Sequence, residues 1–232
     1  MPDQIYVTDS FRGEKAPFLP DDPNRVTVYC CGPTVYAPPH IGNARSAVVA
    51  DQMVRVLRHV YGAGHVVYAR NLTDIDDKII AAAEEEGVEI DVITARATKA
   101  YLSSLDALGC ERPDLMPRAT EYIDAMIGLV SRLLDKGHAY SAEDHVLFDT
   151  AKYNDYGGLS RLDRDAMIAG ARVEVAPYKR DPADFVLWKP SKDTDPGWPV
   201  PEAWGVQGLG RPGWHLECSA MIEAGLGAPI DL

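Results

Sequence analysis

A chain of 232 residues, 46% of them hydrophobic, can bury one sizeable core, alone or with an inserted subdomain, and it contains no apolar run of the about 18 residues needed to span a membrane. Its net charge of −12, from 35 acidic and 23 basic residues, argues against a segment that by itself grips RNA through general phosphate neutralisation. Four cysteines are too few for a disulfide framework at this length and fit free thiols in a reducing cytoplasm, and the Met-Pro-Asp-Gln-Ile-Tyr start lacks the basic-then-apolar pattern of a secretory leader.

Residues 1–25 are polar and rich in Pro and Asp, and read as a lead-in arm. The run Arg25-Val26-Thr27-Val28-Tyr29-Cys30-Cys31, ended by Gly32-Pro33, predicts a buried strand. After the turn-rich stretch from Ala37 to Asn43, apolar residues at Val48, Val49, Met53, Val56, Leu57 and Val60 recur at helical spacing until Gly62. His65 to Arg70 predicts a second strand, and Thr73 is placed to cap a helix over 74–86 that closes at Gly87. Strand, Gly-containing loop, helix, strand, helix is the opening half of an α/β fold with a doubly wound parallel sheet. Two more helices are expected, over 89–107 and 119–136, the second ending at Gly137. A hairpin follows from Ala139-Tyr140 to Val146-Leu147-Phe148, then a short strand at Arg172-Val173-Glu174-Val175. The Trp-, Pro- and Gly-rich stretch from Asp184 to Pro212 reads as long ordered loops, and a final helix runs from near Trp214 to about Ala224.

Three segments carry chemistry. His40-Ile41-Gly42-Asn43 follows a predicted strand and opens a predicted helix, where doubly wound folds bind phosphate. There Gly42 admits a close backbone approach and His40 can donate to a phosphate oxygen. Four letters alone do not separate this from a loop histidine before an ordinary helix. Asn71-Leu72-Thr73-Asp74-Ile75-Asp76-Asp77-Lys78 sets three carboxylates at a helix start, which fits capping and dipole compensation for Asp76 and Asp77. Its place at the carboxyl end of the second strand also lets Thr73 or Asp74 touch a polar ligand. In Gly210 to Met221, Trp214 and Cys218 are spaced one helical turn apart, so Cys218 is either a metal thiolate near a closing Trp214 or a buried packing residue.

Together these segments resemble the cysteinyl-tRNA synthetases. The resemblance runs, in order, through Cys31-Gly32-Pro33-Thr34-Val35-Tyr36, His40 to Arg45, Arg70 to Ile79, Asp184-Phe185-Val186-Leu187-Trp188-Lys189 and Gly210 to Met221, from about residue 5 onward. It implies a class I synthetase catalytic fold of the HIGH type. It also implies ATP-dependent formation of cysteinyl adenylate, with Mg2+, and transfer of cysteine to tRNA(Cys). A zinc ion in that family binds the substrate thiolate, and thiolate ligation separates cysteine from serine better than an apolar pocket can. Carried over by position, Cys31 and Cys218 are zinc ligands, with Cys30 the neighbouring alternative pointing to the opposite strand face. Gly32, Thr34, Thr73 and Trp214 surround the cysteine substrate. His40 and Asn43 are catalytic, and with Gly42 they form the ATP site. Asn43 stands where the strict pattern has a second histidine, but its amide can still donate to phosphate. Cys110 falls in no motif and reads as structural.

The resemblance divides the chain into the arm, a first half of the catalytic domain over 26–118, an inserted connective subdomain with loops over 119–205, and a return to the catalytic domain over 206–232. Family blocks that supply further zinc ligands (His-His-Glu-Asn), a Lys-Met-Ser-Lys-Ser loop and an anticodon-binding domain are not in this sequence, so the chain alone is expected to aminoacylate little. A cytoplasmic monomer is expected. The alternatives are a mycothiol-pathway cysteine ligase, a small HIGH-type nucleotidyltransferase, and a non-catalytic truncated paralogue.

Overall fold

The computed structural model describes residues 4–161, 176–214 and 216–232; the strand expected at Arg172–Val175 and the histidine at position 215 lie outside the described residues. Among the described residues the elements begin with β1 (Tyr6–Asp9), β2 (Glu14–Pro17), β3 (Val26–Cys30), α1 (Ile41–Tyr61), β4 (Val66–Arg70), α2 (Asp77–Glu86) and α3 (Ile90–Ala107). They continue with α4 (Ile123–Asp135), β5 (Ala139–Ala142), β6 (His145–Phe148), β7 (Phe185–Pro190), β8 (Gly210–Pro212) and α5 (Leu216–Gly225). The chain forms two compact units, one of Leu19–Tyr122 with Glu217–Leu232, the other of the residues up to Phe18 with Ile123–Leu216.

In the first unit β3 and β4 pair in parallel from Val26↔Val66 to Cys30↔Arg70. The β-branched run puts Val26 and Val28 into the core, and the crossover through α1 is the helical connection that parallel strands require. Beyond β4, parallel bridges Ala69↔Leu115 and Leu72↔Arg118 extend the sheet. Beyond β3, the N–H of Leu232 donates to Thr27 O (3.1 Å) and its carbonyl accepts from Tyr29 N–H (2.8 Å). The doubly wound parallel arrangement is therefore present. The core gathers Val35, Ala47, Leu72, Ala97, Tyr101 and Leu105, with Cys110 packed against it as a structural thiol.

α1 begins at Ile41, inside the motif expected to open it. The expected start of the next helix needs correction: α2 begins at Asp77 with Asp76, not Thr73, as its cap, and Lys78 N–H donates to Asp76 Oδ1 at 2.9 Å. Thr73 instead lies in an isolated parallel bridge with Thr34, still extended from β4.

In the other unit the polar arm is a β1–β2 hairpin, registered Tyr6↔Pro17 to Asp9↔Glu14. Its turn is set by Asp9, whose Oδ1 accepts from Phe11 N–H (2.9 Å), and by Gly13 at φ 70°. β5, β6, β7 and β8 form an antiparallel sheet in that order. The stretch expected as loops from Asp184 to Pro212 thus supplies two strands. Trp188 on β7 is buried and meets Trp204 edge-on at 5.8 Å. Asp184 is buried and accepts from Tyr140 Oη (2.7 Å) and from both N–H and Oγ1 of Thr150 (3.0 Å each).

Candidate functional site

The chain leaves β3 through Cys31 and Gly32, at the carboxyl edge of the parallel strands. The first turn of α5 carries Cys218, and the Cys31 and Cys218 sulfurs lie 3.4 Å apart. All four cysteines are free. Cys30 points elsewhere, as strand alternation requires, with its sulfur 3.2 Å from Arg70 Nη2 and 3.8 Å from Ser46 Oγ. The hydrogen bond from Cys31 lowers Cys218 to about 7, opposed by burial and helped by the Tyr29 hydroxyl. The same bond, and then burial, pushes Cys31 up. The buried Tyr29 hydroxyl makes no hydrogen bond of ordinary length, and burial first, then the neighbouring Cys218, pushes it well up.

A sulfur separation of 3.4 Å is too long for a disulfide. It is close to the about 3.8 Å that two thiolates adopt at adjacent corners of a zinc tetrahedron with bonds of about 2.3 Å. The pair fits the sulfur half of a zinc site. Among the described residues no group of three or more His, Cys, Asp and Glu side chains gathers around a common point.

Gly32 is where β3's exit approaches the end of β4. A Cβ there would land on the Asn71 carbonyl oxygen, and Gly32 N–H donates to Asn71 Oδ1 at 2.8 Å. The Asn71 amide also donates to Thr73 Oγ1 at 3.2 Å. Main-chain bonds between Thr73 N–H and Pro33 O, and between Val35 N–H and Thr73 O, both 3.1 Å, zip Thr34 to Thr73. Asp74, by contrast, is not available to a ligand. Its buried carboxylate accepts from Thr120 N–H (3.0 Å) and Oγ1 (2.8 Å), with Arg118 Nη1 at 3.8 Å.

His40-Ile41-Gly42-Asn43 forms a capping box on α1. Gly42 N–H donates to His40 Nδ1 (3.0 Å), and His40 N–H donates to Asn43 Oδ1 (3.0 Å). Accepting at Nδ1 puts the proton of the neutral imidazole on Nε2, and accepting at Oδ1 leaves the Asn43 Nδ2 protons outward. Both donors stay free for a ligand among the described residues. Gly42 has a local reason to be glycine: a Cβ would sit 2.8 and 2.9 Å from the His40 ring. A cavity of about 190 Å³ opens beside this loop, lined by Thr34, Tyr36, His40, Asn43, Lys78 and Tyr101 among others. Lys78 Nζ stands 5.4 Å from the Tyr36 ring centre.

The structure thus brings Cys31 to Cys218, Gly32 to Thr73 through Asn71, and Thr34 to His40 and Asn43 at one cavity. Trp214 does not share a helical face with Cys218. It precedes α5 in the turn after Gly213, belongs to the other unit, and is 70% exposed. Gly213 fits tightly against the Val186 carbonyl, and the helix starts only beyond it. Asn71 and Lys78 stood inside the quoted motifs, and Tyr29 inside the predicted strand before them, without a role. A buried asparagine between two glycine- or threonine-bearing turns is the one with a signal, since it cannot be buried unpaired.

A parallel β3–α1–β4 unit, with a capped phosphate-type loop at its carboxyl edge, is the architecture of a nucleotide-binding α/β catalytic domain. Residues 17–232 match the family described as tRNA synthetases class I (C) catalytic domain, and the chain belongs to that family. It is 58% identical over 228 residues to a Cysteine–tRNA ligase of Caulobacter vibrioides, covering 98% of this chain and 48% of that protein. It is 59% identical over 229 residues to the Cysteine–tRNA ligase of Parvibaculum lavamentivorans, covering 99% of this chain and 47% of that protein. Against the Cysteine–tRNA ligase of Xanthomonas euvesicatoria pv. vesicatoria it is 53% identical over 232 residues, covering 100% and 47%. The chain therefore spans about half the length of the curated relatives it matches. Among the described residues no helix is long and apolar enough to cross a membrane.

Proposed function

We propose that the protein activates cysteine with ATP, accompanied by Mg2+, and passes it to tRNA(Cys), as a monomeric cysteine–tRNA ligase of the cytoplasm. The observation that carries this reading is the Cys31–Cys218 pair, two sulfurs 3.4 Å apart in the unit that also holds the capped His40 loop. An apolar pocket distinguishes side chains that differ by one small group by only about 1–3 kcal/mol. Cys31 and Cys218 would hold zinc, and the chemistry supplied there is ligation of the substrate thiolate, which a serine hydroxyl matches poorly.

The chain's own residues bind and orient. His40 Nε2 and Asn43 Nδ2 donate to phosphate oxygens of ATP, and the N-terminus of α1 adds its positive end. These donors are fixed before ATP arrives, so charge that grows on the phosphates as pyrophosphate departs meets an already oriented field. Gly32, Thr34 and Thr73 border the amino acid. The test is amino-acid-dependent exchange of labelled pyrophosphate into ATP by the full gene product, followed by transfer to tRNA or to an amino sugar. Exchange with cysteine but not serine, and transfer to tRNA, is expected. Exchange driven by another amino acid, or transfer to the sugar, overturns the reading.

A further inference from the structure

We infer that Asn71 is a positioning residue that turns the Thr73 hydroxyl into a hydrogen-bond donor for the carboxylate of the bound amino acid. This rests on the cysteine-activating reading above. The Asn71 side chain is fully buried. Its orientation is fixed by chemistry, because Gly32 N–H, 2.8 Å away, only donates and must meet the amide oxygen. The amide nitrogen therefore faces Thr73 Oγ1 at 3.2 Å, and a nitrogen that only donates makes the threonine oxygen accept. The single hydroxyl proton of Thr73 is left over, and no described residue receives it.

Thr73 itself cannot drift to find a partner. Its N–H and carbonyl are both held by the Pro33 to Val35 segment at 3.1 Å. The side chain is half-exposed, so the spare proton awaits a ligand that accepts. Of the two charged groups of an amino acid, the ammonium only donates and the carboxylate only accepts. The carboxylate is the match. The same amide anchors Gly32, the neighbour of Cys31, so one side chain sets the spacing between the sulfur-binding side of the pocket and its carboxylate donor.

Asn71→Asp separates this role from a structural one. The aspartate keeps an oxygen for Gly32 N–H but offers Thr73 a second acceptor, which turns the hydroxyl proton inward. Binding of L-cysteine and of cysteamine, which has thiol and amine but no carboxylate, is measured by calorimetry on the zinc-loaded full gene product, with zinc content and melting temperature recorded. Asn71→Asp is expected to weaken cysteine about tenfold or more, the scale of a hydrogen bond to a charged group, and to leave cysteamine within about twofold. Thr73→Val is expected to do the same, Thr73→Ser to restore cysteine, and the Asn71→Asp/Thr73→Val pair to lose no more than either alone. If Asn71→Asp does not fold, the Thr73→Val and Thr73→Ser pair decides on the same selectivity. Equal loss of both ligands, or cysteine binding untouched, overturns this inference alone. Absence of cysteine binding by the wild type overturns the cysteine reading, and this inference with it.

Discussion

Gly32→Ala places a defined stress on the thiol pair. The new Cβ would fall on the Asn71 carbonyl oxygen and 2.8 Å from its carbon, and both are main-chain atoms at the end of β4 that cannot swing aside. The Cys31–Gly32 segment must retreat instead, which breaks the 2.8 Å bond from Gly32 N–H to the Asn71 amide. Overpacking of this kind costs about 1–3 kcal/mol, and a buried amide oxygen left unpaired about 1–3 kcal/mol more. The sum, about 2–6 kcal/mol, lowers the melting temperature by roughly 5–15 °C. Cys31 moves with Gly32, so the sulfur separation opens and zinc retention falls as well. Differential scanning calorimetry and metal analysis on wild type and variant check both effects. A Gly32→Ala protein with wild-type melting and wild-type zinc content would refute the close approach and its link to the sulfurs.

Gly42→Ala meets a movable neighbour, the His40 ring at 2.8 Å, so its stability cost is confined to the α1 cap at about 1 kcal/mol, whereas the misdirected Nε2 raises KM for ATP by about tenfold; thermal melting against pyrophosphate-exchange kinetics separates the two. Cys31→Ser and Cys218→Ser each remove one of two sulfurs 3.4 Å apart, and either is expected to drop bound zinc well below one per chain and to erode the preference for cysteine over serine, read by metal analysis and by exchange with each amino acid. Asp74→Ala strands Thr120 N–H and Oγ1, now bonded at 3.0 and 2.8 Å, and costs about 2–4 kcal/mol in urea denaturation, with Thr120→Ala adding little on top.

The parallel core was legible because its signals are local. Val26 to Cys30 is β-branched and aromatic, and the spacing from Val48 to Val60 has only one helical reading. Where expectation and structure part, a distant contact decides. Thr73 has the composition of a helix cap, yet its partner is Thr34, 39 positions away in sequence and invisible to a local pattern. Trp214 and Cys218 have helical spacing, but Gly213 is held against the Val186 carbonyl and Trp214 lies in a turn ahead of the helix. β7 was hidden by its surroundings: Phe185-Val186-Leu187-Trp188 is a strand run set among the prolines and glycines of a loop-like stretch. The hairpin of β1 and β2 was hidden by exposure, since only Ala16 among its strand residues is buried.

The residues behind the family resemblance divide their atoms between fold and ligand. His40 uses Nδ1 and its main-chain N–H to start α1, and only Nε2 is left for a ligand. Asn43 closes the same cap with Oδ1 and keeps its two amide protons. The Asn71 amide is wholly internal, with its oxygen spent on Gly32 N–H and its nitrogen on Thr73 Oγ1. Gly32 and Gly42 have no side chain because a main-chain carbonyl and a capping imidazole already fill those places. A histidine in such a loop therefore cannot be read as a phosphate ligand or as a cap, because the cap is what fixes the tautomer and direction of the ligand-facing nitrogen. For the same reason asparagine can stand where the strict pattern has a second histidine: position 43 needs one acceptor turned inward and one donor turned outward, and a primary amide provides both.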